Sequence, residues 1–257
     1  MDDNSVIARL RAAGCVFAED EARVIRSAAR SPAELESMVG QRVKGLPLEQ
    51  VVGWAEFCGL RISVEPGVFV PRRRSEFLVE IAIALSTARH PLIVDLCCGT
   101  GALGLAVAAK LGTPEFHAAD LDPAAVRCAR RNVSPAGGNV YEGDLFAPLP
   151  TVLRGHVTTL ICNAPYVPTT EIRFLPAEAR DYEHHVALDG GDDGLAVLRR
   201  AAAGAPAWLA PGGHMLAETG ERQSAPMAEV MAAAGLIPRV YQNEDFGSAV
   251  ITGAVPG

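Results

Sequence analysis

The stretch Val94-Asp95-Leu96-Cys97-Cys98-Gly99-Thr100-Gly101-Ala102-Leu103-Gly104 decides the fold class. The apolar run Leu92 to Leu96 reads as a buried strand, and Ala102 to Lys110 as a helix. Between them, glycines let the backbone approach a ligand closely, and the helix start offers unpaired N–H groups. Nineteen residues past Gly101, Asp120 ends a second strand, Phe116 to Asp120. A carboxylate at that place can accept both hydroxyls of a ribose.

Outward from this loop, strands and helices alternate. A helix over Ser75 to Ala88 precedes it, and a helix opening at Asp122-Pro123 follows Asp120. Val140-Tyr141 and Thr159 to Cys162 read as further strands, then a helix from Leu195 to Ala203. His214 to Glu218 is a fifth strand, followed by a helix to Ala234. Arg239-Val240-Tyr241 and Ser248 to Thr252 close the chain as a β-pair. Such alternation predicts an α/β fold, a mostly parallel sheet covered by helices on both faces. Ahead of it, residues 1–44 read as a small helical domain, with Ser31-Pro32-Ala33-Glu34 as a helix start. Residues 45–71 read as a β-hairpin linker, with Val51-Val52-Gly53-Trp54 and Leu60 to Val64 as its strands. Residues 72–257 form the main domain.

The totals exclude several classes. A formal charge of -7 over 257 residues disfavours broad binding to nucleic acid. The six cysteines include no Cys-x-x-Cys pair, so zinc has no spacing to support it, and reduced, buried thiols are expected. The adjacent His184-His185 point apart, so no metal is expected there. The polar start, Met1 to Ser5, is no signal peptide, and no window approaches a membrane span, so a soluble cytoplasmic monomer is expected. Arg72, Arg73 and Arg74 read as a solvated basic patch able to receive an acidic partner.

The loop alone leaves two enzyme classes open. Gly99-x-Gly101-x-x-Gly104 with Asp120 matches the fingerprint of a nicotinamide-dinucleotide oxidoreductase. The same stretch, with Asp95 before it, resembles the D-x-G-x-G-x-G loop of class I methyltransferases, which wraps a cofactor lacking phosphate. Cys97 stands where that family has its first glycine, which requires only a negative φ there. After the fourth strand comes Asn163-Ala164-Pro165-Tyr166. Ligands of open α/β sheets sit beyond the carboxyl ends of the strands. A proline-stiffened bend there presents an asparagine oxygen and neighbouring carbonyls, acceptors suited to a planar nitrogen with two N–H donors.

These stretches together resemble the HemK/PrmC family, which methylates glutamine in peptide-chain release factors, with a sister branch acting on a ribosomal protein. The family's N-P-P-Y is matched by Asn163-Ala164-Pro165-Tyr166. Further matches are Gly67 to Arg72, Asp95 to Gly101, Asp120, Gly143 to Phe146, Arg180 to Glu183, Ala187 to Gly191 and Pro211 to Gly213. The resemblance implies a class I, Rossmann-like fold, S-adenosylmethionine as cofactor with S-adenosylhomocysteine as product, and a protein substrate presenting a glutamine. It implies that Asn163 and the Ala164 carbonyl accept from the amide, with Tyr166 as the wall. Asp95, Cys97, Cys98, Gly99, Thr100, Gly101, Asp120, Asp144, Leu145 and Asn163 are the implied cofactor residues. Asp181-Tyr182-Glu183 are expected to shape the substrate mouth.

Three departures stand out. Ala164 replaces a proline but keeps the carbonyl. P-R-P-x-T-E becomes Pro71-Arg72-Arg73-Arg74-Ser75-Glu76, losing a proline and an acidic residue, and the N-terminal part is short. A paralogue with a different protein or peptide target is therefore expected. The competing readings are methylation of an exocyclic base nitrogen, methylation of a small amide or peptide, the nicotinamide oxidoreductase, and a binding module with decayed catalysis.

Overall fold

The computed structural model describes residues 2–112, 115–243 and 248–256. Helices α1 (Asp3–Ala12), α2 (Ala18–Ala28) and α3 (Pro32–Val43) open the chain. The Ser31 hydroxyl accepts a hydrogen bond from Glu34 N, and Pro32 occupies the first turn of α3. Val6, Leu10, Ile25, Leu35 and Val39 close a small core among these helices.

Val51 and Val52, expected in a strand, instead end a short helix, α4 (Leu48–Val52). Gly53 follows at φ 81, and its N–H bonds to Glu49 O, closing the helix as left-handed glycines do. Five residues are too few to display a helical period, so two β-branched residues outweighed it in the sequence. The hairpin starts one residue later, with β1 (Trp54–Phe57) antiparallel to β2 (Leu60–Ser63). Phe57 and Ile62 are buried and pack with Leu78 and Val79 of α5 (Glu76–Leu85), seating the hairpin on the main domain.

The remaining elements follow the order read from the sequence, with one short helix, Ala177–Tyr182, that the reading did not contain. They are β3 (Leu92–Leu96), α6 (Ala102–Leu111), β4 (Glu115–Asp120), α7 (Pro123–Val133), β5 (Asn139–Glu142) and β6 (Val157–Cys162). Then come α8 (Ala177–Tyr182), α9 (Ala196–Gly204), β7 (Leu209–Gly220), α10 (Ser224–Ala233), β8 (Ile237–Asn243) and β9 (Ser248–Ala254). The sheet order is β5-β4-β3-β6-β7-β9-β8. The first five strands in that order are parallel, and β9 runs antiparallel between β7 and β8. That inserted final strand departs from the dinucleotide order, in which the sixth strand simply extends the sheet.

Strand alternation distributes the core to two faces. Val94 and Leu96 of β3 join one cluster with Leu198 of α9 and Met227 of α10. Ile93 joins the other, with Leu78 of α5 and Leu103 of α6. Order reverses at β3: β4 lies on one side and β6 on the other, which opens the crevice beyond their carboxyl ends.

Candidate active site

That crevice holds a cavity of about 360 Å³. Its walls bring together Cys97, Cys98, Gly99, Thr100, Asp120, Asp144, Leu145 and Asn163 to Tyr166, residues at or just beyond the ends of four strands, β3, β4, β5 and β6. Two predicted residues do not line it. Asp95 lies fully buried beneath the loop, where its Oδ2 accepts from Gly104 N at 3.0 Å and so anchors the start of α6. A Cβ on Gly101 would stand 2.6 Å from Val133 Cγ2, so this glycine faces α7 rather than the cavity. A Cβ on Gly99, in contrast, would meet nothing within 4 Å.

The loop is tied down by its neighbours. Gly99 N donates to Asp120 Oδ2 at 2.8 Å, and Cys98 N to Ala119 O at 3.1 Å. Cys97 has φ 55, not the negative value expected from the sequence. The chain must reverse sharply between β3 and α6, and it does so in the left-handed region at a cost of about 1–3 kcal/mol for a non-glycine residue. Leu145 sits at φ 48 on the opposite wall. Burial raises the Asp120 carboxyl above its ordinary range, while amides of Asp122 and Gly99 pull against that shift. Burial likewise raises Asp95, to about 7. A hydrogen bond with Cys162, then burial, push the Cys97 thiol upward, and burial does so for Cys98; both remain protonated at neutral pH.

Beyond β6, the bend at Asn163 is strapped from outside. Val167 N donates to Leu188 O at 3.1 Å, and Gly190 N to Val167 O at 2.9 Å. Gln223 Nε2 donates to Tyr166 O and to Asp193 O, both at 2.9 Å. A Cβ on Gly190 would approach Pro165 O to 2.7 Å, and one on Gly194 would approach Tyr166 O to 2.2 Å. The Ala187 to Gly191 stretch is thus a glycine-bearing strap that fixes the bend. Within it, the half-buried Asn163 carboxamide and the carbonyl of Ala164 receive no hydrogen bond from any of the described residues. The Tyr166 hydroxyl is held by Arg74 and Glu218.

The basic patch is corrected by this geometry. Arg72 donates to both oxygens of Glu183, at 2.6 and 2.7 Å, and Val70 N donates to the same buried carboxylate at 3.0 Å. Arg74 bonds Glu218 and Tyr166. Only Arg73 remains a plain exposed side chain, because the other two neutralise acids brought in from far along the chain. None of the three residues expected at the substrate mouth lines the cavity: Glu183 is buried against Arg72, Tyr182 donates to Lys44 O at 2.6 Å, and Asp181 pairs with Arg180 on the surface. Asp144 pairs with Arg200 on the rim. His184 bonds Asp122 at 2.6 Å, and no group of three metal-ligating side chains occurs among the described residues. Sequence reasoning missed Glu218, Gln223 and Gly194, each at an element end; the only signal was polar or glycine residues after apolar runs.

A profile of the methyltransferase small domain matches residues 59–177. The release factor glutamine methyltransferase of Mycolicibacterium smegmatis is 39% identical over 215 residues, 83% of this chain and 76% of that protein. The chain belongs to the release factor glutamine methyltransferase family, the HemK/PrmC family of the sequence comparison. Another relative is the 4-amino-L-phenylalanine/4-methylamino-L-phenylalanine methyltransferase of Streptomyces pristinaespiralis, 34% identical over 203 residues, 77% of this chain and 69% of that one. A ribosomal protein L11 methylase from Lactobacillus delbrueckii subsp. bulgaricus shares the fold, with a TM-score of 0.55 at 13% identity, covering 76% of this chain and 86% of that one.

As a HemK/PrmC-type chain it is an S-adenosylmethionine-dependent methyltransferase, and nothing supports the oxidoreductase alternative. The cavity agrees with that cofactor. Gly99 leaves open space beside it, and Asp120, Asp122 and Asp144 contribute carboxylates to its wall. No helix among the described residues is long and apolar enough to cross a membrane.

Proposed function

We propose that this enzyme methylates the side-chain amide nitrogen of a glutamine in a protein substrate of the release-factor type. The observation that carries the reading is the strapped bend, with the Asn163 oxygen and the Ala164 carbonyl both free to accept at the cavity wall. The cofactor, when bound, supplies an electrophilic methyl group on sulfur. In this reading Asp120, on the cavity wall, would accept from a ribose, and the Cys97 to Thr100 backbone and Leu145, also on that wall, would enclose the remainder of that ligand. Asp95 and Gly101 serve by holding the loop rather than by touching it.

An amide nitrogen is a poor nucleophile because its lone pair is delocalised. Two acceptors that grip its two N–H bonds turn the lone pair toward the methyl carbon, and alignment of this kind is worth about 7–11 kcal/mol. With the methyl donor bound, the N–C bond would form as the S–C bond breaks, and the nitrogen's surplus proton would leave to solvent. No strong base is needed. Ala164, 2% exposed, keeps the carbonyl that the family's proline offers, and Pro165 holds it away from helical angles. The same pair of acceptors suits any flat NH₂ group, and the aminophenylalanine-methylating relative makes a small amino compound the second reading. A protein substrate, a cytoplasmic location and a monomeric enzyme belong to the first.

The test uses purified enzyme, cofactor labelled in its methyl group, and a bacterial release factor from cells lacking its own methylating enzyme. Label on a glutamine side chain is expected. Label on 4-aminophenylalanine alone, or on nucleic acid alone, overturns the glutamine assignment. Asn163→Ala should lower turnover by about 10²-fold or more while S-adenosylhomocysteine still binds.

A further inference from the structure

The Tyr166 hydroxyl is gripped from two sides. Arg74 Nη2 donates to it at 2.6 Å, and it donates to Glu218 Oε1 at 3.1 Å. Arg74 Nε donates to that same Glu218 oxygen at 3.0 Å, which closes a ring of three hydrogen bonds. Glu218 is 2% exposed, and its Oε2 has no partner, so Arg74 and Tyr166 make all of its bonds among the described residues. Burial works against the Arg74 charge, but Tyr166 and Glu218 outweigh it, and the guanidinium pKa is raised. The Arg74 side chain retains 43% exposure at the rim and lies over the Tyr166 ring, 6.0 Å from its centroid.

The arrangement is specific in its parts. Arg74 stands at the variable position of the family's P-R-P-x-T-E pattern. A tyrosine held by a single bond can still swing about that bond, whereas a donor and an acceptor on opposite sides leave one ring orientation. Lysine, with one compact ammonium, cannot span both partners as a planar fork does.

We propose that Arg74 is a positioning residue, which with Glu218 locks the Tyr166 ring in one orientation against the acceptor side of the cavity beside Asn163. The inference rests on reading Asn163 to Tyr166 as the acceptor bend. Arg74 acts through the tyrosine, not on the substrate.

Labelling the four tyrosines with 3-fluorotyrosine tests this without any substrate. Tyr166→Phe identifies the Tyr166 fluorine line. Arg74→Met should shift or broaden that line and leave the other three in place, and Arg74→Lys should restore it in part. Because Arg74→Met strands a buried carboxylate, Arg74→Met with Glu218→Gln serves as the variant free of that charge. A Tyr166 line unmoved in both overturns the proposal.

With an unmethylated release factor as acceptor, Arg74→Met should lower kcat by about 10- to 100-fold with KM little changed. In the Tyr166→Phe background the same substitution should cost little more, since the two act as one unit. Fully additive losses would place Arg74 on the substrate and overturn the positioning role. If the wild-type enzyme methylates no release factor, the functional reading fails while the fluorine lines still decide the clamp.

Discussion

Cys97 carries a side chain through a backbone region that favours glycine, at the tightest point of the cofactor loop. Replacing it with glycine removes that strain at the expense of a more flexible unfolded chain. Cys97→Gly should therefore stabilise the protein by about 0.5–1 kcal/mol, read as a higher urea midpoint at unchanged slope. Asp95 gives a pH prediction. Its carboxyl rises from an ordinary 3.8 to about 7 on burial. Between those values the folded state keeps a proton that the unfolded chain has released. The contribution is thus complete below about pH 4 and is lost as pH rises toward about 7. Asp95→Asn should flatten this slope, so that urea midpoints at about pH 5 and about pH 8 differ less than in the wild type. An unchanged difference would place the titration elsewhere. Local spacing made the loop legible in the sequence; the sign of φ at Cys97 was not, because it depends on where β4 and α7 fix the two ends of the turn.

At the scale of elements, the hairpin is seated by two buried side chains, Phe57 and Ile62, of which Phe57 is the larger. Phe57 is fully buried and enters the same core as Leu78 and Val79 on the opposite element. Truncation leaves a cavity that the sheet cannot collapse to fill. Phe57→Ala should cost about 3–5 kcal/mol by equilibrium denaturation. The fourth strand and its bend were readable, since apolar runs ending in Asn-x-Pro have few structural alternatives. The short helix α4 was not, as five residues carry too little periodicity to compete with two valines. The strap over the bend was visible only as a match of residues 187–191. Its purpose emerged from the close approach of Gly190 and Gly194 to the carbonyls of Pro165 and Tyr166.

For the whole molecule, the reversal of strand order at β3 opens the crevice beyond the strand ends. A ligand that binds only the folded state stabilises it by about 2.7 kcal/mol at a hundredfold excess over its Kd. S-adenosylhomocysteine should raise Tm accordingly, whereas NAD at the same concentration should leave it unmoved. Equal shifts would contradict the class assigned to the cavity. Little of the formal charge of -7 falls on the cavity wall, where Asp120, Asp122, Asp144 and Glu178 face Arg72, Arg74 and Arg200. This favours a substrate held by local geometry over one drawn in by a long-range field.

The sequence by itself determined the alternation of elements, the glycine-rich loop after β3 and the proline-bearing bend after β6, because each rests on neighbours a few residues apart. Only the tertiary structure decided what Arg72 and Arg74 do. Arg74 meets Glu218 across 144 positions and Tyr166 across 92, and Arg72 meets Glu183 across 111. Such pairs exist only after the sheet has brought strand ends together, and then burial turns what reads as a solvated basic run into a set of fixed bonds.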